Sequence, residues 1–437
     1  MPVMLISDVL VEFDLEQPRT EPLGDLAALM HATHLPALSV ALIADGRIAD
    51  TLAIGEVLYG SGEAVSPQTP FQAASISKSI AAFCVLRLAA DGVLDLDADV
   101  NGMLRTWRVP ANGGWAPVIT LRQLLSHTAG TTTHGFLGYP VGRTLPSLPD
   151  ILDGRGNSDP VRVTALPGTA YRYSGGGYTV VQQLLHDVTG RGYAELAQEL
   201  VLDPIGMTGS RFDQGHRPGF ASGHHGGPSP IPGGAHRYPE LAAAGLWSTP
   251  TDLGRFLLAV QASARGDADA LLPKELAEAM LTSPTDAAYG LGLTLGPDAS
   301  WFGHNGGNEG FLSTARLYQN SGTGVVIMTN GAFGMLVINQ FLLPKLAAAM
   351  DWPDAPPPPE RSQPAIAGRY GQFHIEEGDG GLVLVTPGQP TVELKATDRG
   401  WRSTSLNLDI RFGGDELIIA QDGIETDLRL PRSSEAM

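Results

Sequence analysis

A serine and a lysine stand three residues apart at Ser75 and Lys78, where an apolar-periodic run begins. Apolar residues recur in four-residue steps from Ile76, which predicts a helix with Ser75 at its N-terminus, and residues three apart on a helix share one face. A serine hydroxyl becomes a nucleophile when a neighbouring base takes its proton, and Lys78 can be that base if burial or a second cation lowers its pKa. This spacing is common on surface helices, so it predicts catalysis only with support from elsewhere in the chain.

A second stretch places Tyr173 just before the glycines that begin at Gly175. We expect a glycine-rich turn followed by a helix over Val180–Thr189. A phenol near a lysine ammonium can have its pKa lowered and shuttle a proton, and glycine lets a backbone approach a ligand closely. Taken alone, the stretch fits an ordinary helix-capping loop better than a catalytic site.

A third stretch is expected to be a strand ending at His304, followed by a glycine-rich turn formed by Asn305, Gly306, Gly307 and Asn308. Histidine can orient or polarise a reacting group. Backbone N–H groups exposed by the glycines can hold an oxyanion. This motif is also weak in isolation.

In this order, the Ser-x-x-Lys, Tyr-x-Gly and His-x-Gly motifs resemble the serine β-lactamase/penicillin-binding-protein superfamily. The tyrosine and histidine variants are similar to its class C-like branch, with family VIII carboxylesterases, D-aminopeptidases and D-stereospecific amidohydrolases as the nearest matches. The resemblance extends over about residues 22–350. It includes the segment Leu121–Gly130, in which we expect His127 to be structural.

The resemblance implies a serine hydrolase that works through an acyl-enzyme on Ser75. Lys78 would activate Ser75. Tyr173 would relay its proton to the leaving group and later activate the acceptor, and His304 would line the pocket. The backbone N–H groups of Ser75 and Gly307 would form the oxyanion hole. Gly175, Asn305, Gly306 and Asn308 are the expected neighbours of the substrate.

Two departures from the family pattern bear on the substrate. Gly175 stands where many relatives carry asparagine, and His304 stands where many carry lysine. Together they favour a small ester, or an amide or peptide with a D-configured or N-acyl residue, over a β-lactam or a free acid. The alternative is a catalytically weak β-lactam- or peptide-binding sensor with the same pocket.

The composition excludes several other classes of protein. The chain has 437 residues, with 46 acidic and 28 basic side chains. This balance argues against nucleic acid or an anionic membrane surface as a partner. We expect no cofactor. The expected binding partner is a small-molecule ester or peptide, and the sequence also allows a homo-oligomer. The N-terminus has no basic leader and no long apolar run follows, which predicts a cytoplasmic protein without a membrane span.

Histidine and cysteine residues outside the motifs suggest no further chemistry. His216, His224, His225 and His236 lie in a polar loop, and their spacing does not match a zinc pattern. We therefore expect no metal site. The single cysteine, Cys84, lies on the apolar face of the helix after Ser75 and is expected to be a core residue.

Apolar patterning predicts an α+β fold: a β-lactamase-like antiparallel sheet flanked by helices, with an inserted, mainly helical region. A hairpin through Asp45-Gly46 should pair with late strands to form the sheet. The predicted elements are a lead-in with weak strand character over 1–20, a helix at Leu23–Ala32, strands at Ala37–Ala44, Arg47–Glu56, Ser300–Gly303, Leu312–Tyr318 and Val325–Asn330, and helices at Tyr193–Leu202 (ended by Asp203-Pro204), Leu253–Ala262, Pro273–Leu281 and 333–350.

Three segments are expected along the chain. Residues 1–352 form the β-lactamase-like domain, 353–364 a Pro-rich linker, and 365–432 a small all-β domain. The last resembles the lipocalin-like domain appended to some of these hydrolases. Its predicted strands are Arg369–Ile375, Leu382–Thr386, Val392–Ala396, Leu406–Phe412, Glu416–Ala420 and Glu425–Leu430.

Overall fold

A computed structural model describes residues 6–10, 26–226, 228–355, 367–370, 373–378, 381–386, 391–397, 400–403, 408–413, 416–421 and 424–431. The chain forms two compact units. One comprises Met1–Ile6 and Met30–Gly334, and the other Ser7–Leu29 and Met335–Met437. The boundaries expected at 352/353 and 364/365 stay a prediction. Most of the predicted linker (356–364), and parts of the lead-in, the first helix and the fourth C-terminal strand, lie outside the described residues.

The first unit is built on a six-stranded sheet in which every neighbouring pair is antiparallel. Asp45 and Gly46 both adopt left-handed φ values of 52° and 68°, which suits the tight hairpin between the first two strands. The predicted pairing of the N-terminal hairpin with the late strands is confirmed. In spatial order the strands are β2 (Arg47–Gly55), β1 (Ala37–Ala44), β9 (Gly324–Thr329), β8 (Phe311–Tyr318), β7 (Trp301–Asn308) and β6 (Thr294–Leu295).

The inserted region is mainly helical, as predicted, and carries a small sheet of β3 (Phe71–Ala74), β5 (Leu246–Ser248) and β4 (Arg211–Phe212). The strand β3 packs against β7 and β8, which brings the Ser75 stretch to the main sheet. The helices are α3 (Ser77–Ala90), α4 (Val100–Met103), α5 (Leu121–Leu125), α6 (Leu148–Leu152), α7 (Gly175–Thr189), α8 (Tyr193–Ala197), α9 (Asp203–Ile205), α10 (Leu241–Ala244), α11 (Pro250–Arg265) and α12 (Lys274–Met280), with a 3₁₀ turn at Pro297–Ala299.

Three predicted boundaries in this unit are wrong. The helix α7 starts at Gly175, because the Ser174 hydroxyl caps it and the glycines form its first turn. The helix after Tyr193 does not end at Asp203-Pro204. A π-helical turn at Gln198–Leu202 carries it into α9, whose first turn tolerates Pro204. The strand β7 continues through Asn308, so the expected glycine-rich turn is strand, and the chain reverses at Gly310.

The helix α3 is the centre of the core. Ile80, Phe83, Cys84 and Val85 are each 0% exposed, so the helix is buried on more than one face. Burial raises the pKa of the Cys84 thiol to about 12, so the thiolate is not populated at neutral pH. The prediction that Cys84 is a core residue is confirmed.

The second unit contains an eight-stranded antiparallel sheet whose strands follow chain order. This confirms the predicted C-terminal β domain, although Arg369–Ile375 is two strands and the strand at Gly400–Ser403 was not predicted. Residues 6–9 form a short helix, α1 (Ile6–Val9), so the strand character expected there is wrong. The remaining elements of the chain are α2 (Leu26–Ala32), α13 (Gly334–Val337), a π turn (Ile338–Leu342), α14 (Leu343–Ala349), β10 (Gly368–Tyr370), β11 (Phe373–Gly378), β12 (Gly381–Val385), β13 (Val392–Thr397), β14 (Gly400–Ser403), β15 (Leu408–Gly413), β16 (Glu416–Gln421) and β17 (Ile424–Pro431).

No helix within the described ranges is long and apolar enough to cross a membrane.

Candidate active site

Ser75 lies in a tight turn between β3 and α3, two residues before the helix starts. The preceding residue, Ala74, has a left-handed φ of 49°, which is strained for a residue with a Cβ. The Ser77 hydroxyl holds this corner by donating to Ala74 O (2.5 Å) and accepting from the Leu246 N–H (3.0 Å). The nucleophile candidate is therefore presented on a fixed, strained corner.

Lys78 reaches the Ser75 hydroxyl as the spacing predicts. Its Nζ lies 3.0 Å from Ser75 Oγ and 2.8 Å from the carbonyl oxygen of Ala243. The lysine is 2% exposed, and burial lowers its pKa to about 7. Close to neutral pH, a large fraction of Lys78 is the free amine. That amine can donate to Ala243 O and still accept the serine proton.

Tyr173 completes a three-residue network. Its hydroxyl is hydrogen-bonded to Ser75, and Lys78 Nζ lies 5.0 Å from the centre of its ring. Burial raises the pKa of Tyr173 above its usual value. The lowered pKa expected from the sequence is therefore wrong, because burial outweighs the hydrogen bond with Ser75, which acts in the opposite direction. Tyr173 remains a protonated phenol at neutral pH.

His304 lies on β7 with both ring nitrogens engaged. Its Nε2 is 3.1 Å from the Tyr289 hydroxyl and its Nδ1 is 2.5 Å from Asn305 O. A carbonyl only accepts, so the proton is on Nδ1 and Tyr289 donates to Nε2. Burial, and then the charge of Lys78, lower the pKa of His304 to about 3. The histidine is a neutral, fixed part of the pocket, and supplies no cation for a substrate carboxylate.

The two glycines after His304 have different environments. A Cβ at Gly306 would lie 2.2 Å from Ala73 O, so glycine is required for β7 to approach β3. Gly307 has open space beside it. The Gly296 N–H donates to Trp301 O, so the backbone groups of Trp301 point away from β8. Because this direction alternates along an antiparallel strand, the other odd-numbered residues of β7 also direct their N–H groups away from β8. The Gly307 N–H thus points to the strand edge that β8 does not use.

The two predicted asparagines make contacts within the scaffold. Asn308 Nδ2 donates to Gln72 Oε1 (2.9 Å) and Ala244 O (3.1 Å), tying β7 to β3 and α10. Asn305 Oδ1 accepts from the Thr314 hydroxyl at 2.7 Å. These contacts indicate positioning roles, and substrate binding by either amide stays a prediction.

Gly175 is enclosed by residues 133–136, a segment from earlier in the chain. Its N–H donates to His134 O at 2.9 Å, and a Cβ there would lie 3.0 Å from Phe136 Cε2. The next two N–H groups of α7 donate to Thr133 O (3.0 Å) and to Ser174 Oγ (2.9 Å). The start of α7 is therefore capped within the protein.

His127 has a closer relation to Tyr173 than the sequence indicated. Its carbonyl accepts from the Arg172 N–H (2.7 Å) and its Nδ1 from the Ser174 N–H (3.1 Å), so it holds both neighbours of Tyr173. The His127 and Tyr173 rings lie 4.3 Å apart, centre to centre. Burial is the main cause that lowers the pKa of His127 well below its ordinary value, which keeps it neutral. The structural role expected for His127 is thus specifically the positioning of Tyr173.

Replacing His127 by alanine is expected to lower kcat/KM about 100-fold, since small displacements of a catalytic group cost about this much. His127→Asn should recover most of the loss, because its Oδ1 can accept the Ser174 N–H and asparagine tolerates the left-handed φ of 57°. The measurement compares an ethyl ester with a nitrophenyl ester. If Tyr173 is misplaced as a proton donor, kcat/KM should fall more for the ethyl ester, because ethoxide is a poorer leaving group than nitrophenoxide. Equal losses on both esters, following the melting temperature, would contradict the positioning role.

Tyr289 and Tyr178 were not predicted from the sequence. Tyr178 donates to Leu125 O at 2.8 Å. Tyr289 lies close to Tyr178 and donates its own hydroxyl proton to His304. No sequence spacing links Tyr289 to His304, because the two side chains come together only in the folded protein. The histidines of the 216–236 loop make separate contacts, such as His225 with Glu309 (2.7 Å). No group of three or more potential metal ligands occurs within the described part of the chain.

Glu240 is a buried carboxyl beside α10. It is 0% exposed, and neither carboxyl oxygen has a hydrogen-bond partner among the described residues. Burial raises its pKa from 4.5 to about 7. Burial is the main cause that raises the pKa values of the nearby phenols of Tyr139 and Tyr238, and the Glu240 carboxylate contributes in the same direction.

Glu240 is expected to make stability depend on pH. The folded protein holds this proton up to about pH 7, whereas the unfolded chain releases it near pH 4.5. Stability therefore falls as the pH rises between these values, by on the order of 3 kcal/mol. Melting temperatures at pH 5 and pH 8 should show Glu240→Gln gaining on the wild type at pH 8, while exposed Glu275→Gln does not. A difference between Glu240→Gln and the wild type that does not change with pH would contradict the assignment.

Comparison with known proteins agrees with this geometry. The family model described as Beta-lactamase matches residues 24–343. The chain therefore belongs to the β-lactamase family, as its motif order indicated, and the family's fold class is confirmed.

Two relatives illustrate the range of this hydrolase family. "Penicillin-binding protein 4" of Amycolatopsis lactamdurans is 26% identical over 380 residues, covering 80% of this chain and 96% of that protein. "Esterase EstB" of Burkholderia gladioli is 29% identical over 238 residues, covering 47% of this chain and 58% of that protein.

A solved structure, the octameric penicillin-binding protein homologue from Pyrococcus abyssi, has a TM-score of 0.63 at 20% identity. The superposition covers 93% of this chain and 98% of the homologue. At this identity the likeness shows a shared fold.

Proposed function

We propose that this protein is a serine hydrolase or acyltransferase that cleaves small esters, or amide or peptide bonds, through an acyl-enzyme on Ser75. The observation that carries the proposal is the Ser75–Lys78–Tyr173 network, in which Lys78 is buried and has a pKa of about 7. A lysine that loses its proton near neutral pH can act as a general base. The esterase among the relatives supports this reading.

The proposed reaction has two steps, acylation of Ser75 and transfer of the acyl group to an acceptor. The Lys78 amine takes the Ser75 proton while Oγ bonds to the substrate carbonyl carbon. The oxyanion is held by the N–H groups of Ser75 and Gly307. As the carbonyl re-forms, the bond to the leaving group breaks, and the leaving group takes the Tyr173 proton, which Lys78 replaces. Water or an alcohol or amine then attacks the acyl-enzyme by the reverse proton path.

A panel of substrates tests the proposal. Nitrophenyl acetate and butyrate, D-alanine and L-alanine nitroanilides, and a chromogenic cephalosporin are offered to the wild type and to Ser75→Ala. We expect the esters to be turned over fastest, and all turnover to depend on Ser75. A single acyl group bound per chain without release would instead favour a β-lactam- or peptide-binding sensor. Equal turnover by Ser75→Ala would overturn both functions.

A homo-oligomer is part of the proposal, supported by the octameric homologue of the same fold. Light scattering of the full chain gives its mass. A monomer at all concentrations would remove this part and leave the chemistry untouched.

A further inference from the structure

Gly175 and Phe136 form a pair in which the larger residue occupies the space left by the smaller one. A Cβ at position 175 would lie 3.0 Å from Phe136 Cε2, 3.4 Å from Cδ2 and 3.1 Å from His134 O. The first and last of these separations are tighter than most real Cβ contacts. Any side chain at position 175, including that of asparagine, would start against the Phe136 ring, so this ring fills space that such a side chain needs.

The backbone places this pair on the same side as the catalytic hydroxyls. Ser174 is extended, with φ −148° and ψ 113°, and in extended chain residues i and i+2 point to the same side. Position 175 therefore faces the side to which Tyr173 directs its hydroxyl toward Ser75. His134 lies against the Tyr173 ring, 4.9 Å from centre to centre. The segment His134–Phe136 thus forms a wall beside Tyr173 and Gly175.

Other surfaces near this wall are also apolar. Leu137, the residue after Phe136, is 71% exposed, and Tyr171, which flanks His127, is 38% exposed. His304 is neutral because burial lowers its pKa. The wall offers an acyl chain apolar contact, and Phe136 takes the place of an amide that could hydrogen-bond to a polar acyl group.

We propose that Phe136, matched to Gly175, is a specificity-determining residue that selects esters with an uncharged alkyl or aryl acyl group over esters whose acyl group carries an amide. The inference rests on the proposed acyl-enzyme function. It assigns a substrate class to the segment His134–Phe136, outside the three motifs.

The test measures kcat/KM for three nitrophenyl esters: hexanoate, acetate and N-acetylglycinate. The wild type should prefer hexanoate over N-acetylglycinate. Phe136→Ala should lower the hexanoate-to-acetate ratio about tenfold, the scale of losing apolar contact in a pocket. Phe333→Ala, another half-buried phenylalanine, is the control and should leave the ratio unchanged. If Phe136→Ala fails to fold, Phe136→Leu gives a smaller change in the same direction.

Coupling between the two positions gives the sharpest result. Gly175→Asn alone should impair all three esters, because the new side chain meets the ring. The pair Gly175→Asn with Phe136→Ala should recover activity and shift preference toward the N-acetylglycine ester. Additive effects, or an unchanged ratio in Phe136→Ala, would overturn the proposal.

Labelling with a fluorophosphonate separates failure of this inference from failure of the function. If Ser75 is labelled and esters are cleaved without discrimination by Phe136, only the specificity assignment is wrong. If Ser75 is not labelled and no ester is cleaved, the proposed function is wrong as well, and the specificity assignment falls with it.

Discussion

Replacing Ser75 by alanine is expected to lower kcat for the best ester by about a millionfold, the scale on which loss of the nucleophile acts in serine hydrolases. Without Oγ, no acyl-enzyme can form, and only binding and oxyanion stabilisation remain to assist attack by water. The measurement is steady-state hydrolysis by Ser75→Ala together with fluorophosphonate labelling, which should be lost.

The matched control is Ser79→Ala in the same helix. The Ser79 hydroxyl is buried and donates to Gly292 O at 2.6 Å, so its loss should cost about 1 kcal/mol of stability and leave labelling intact. Loss of labelling in Ser79→Ala but not in Ser75→Ala would move the nucleophile away from Ser75.

Replacing Lys78 by methionine is expected to lower kcat/KM about 1,000-fold, within the range attributed to general acid–base catalysis. Methionine keeps the volume and removes the base. In the wild type, log kcat/KM should rise with pH and level off above about pH 7, because only the free amine of Lys78 can take the Ser75 proton. This rise should be absent in Lys78→Met.

Lys78→Arg distinguishes a base from a fixed charge. An arginine keeps the positive charge but does not release its proton at these pH values. We expect it to be as impaired as methionine. Near-full activity of Lys78→Arg would mean that the charge alone is needed, and would contradict the role of Lys78 as a base.

The sequence predicts those features that depend on neighbouring residues. Local spacing brings Lys78 to Ser75 across one helical turn, and the Asp45-Gly46 hairpin follows from turn chemistry. The order of the three motifs indicated the family, and the family indicated the fold. These predictions needed no knowledge of how distant segments meet.

Contacts between distant segments explain what the sequence missed. Gly306 is a strand residue because β7 passes close to Ala73. Gly175 begins a helix because Ser174 caps it and the 133–136 segment covers it. Local sequence shows glycine at both places, which favours a turn.

The protonation states depend on burial in the same way. Proximity to Lys78 predicts a lowered pKa for Tyr173, but partial burial in the folded protein raises it. The division of roles that we propose, with Lys78 as base and Tyr173 as proton donor, is supported by these burial effects.

Mass spectrometry of the acyl-enzyme tests the central claim most directly. The wild type is quenched in acid within milliseconds of mixing with nitrophenyl hexanoate and then digested. We predict a hexanoyl adduct of Ser75, in the peptide that also contains Lys78, and no such adduct in Ser75→Ala. Hydrolysis of the ester with no adduct at Ser75 at any quench time, or with the acyl group on another residue, would contradict the account.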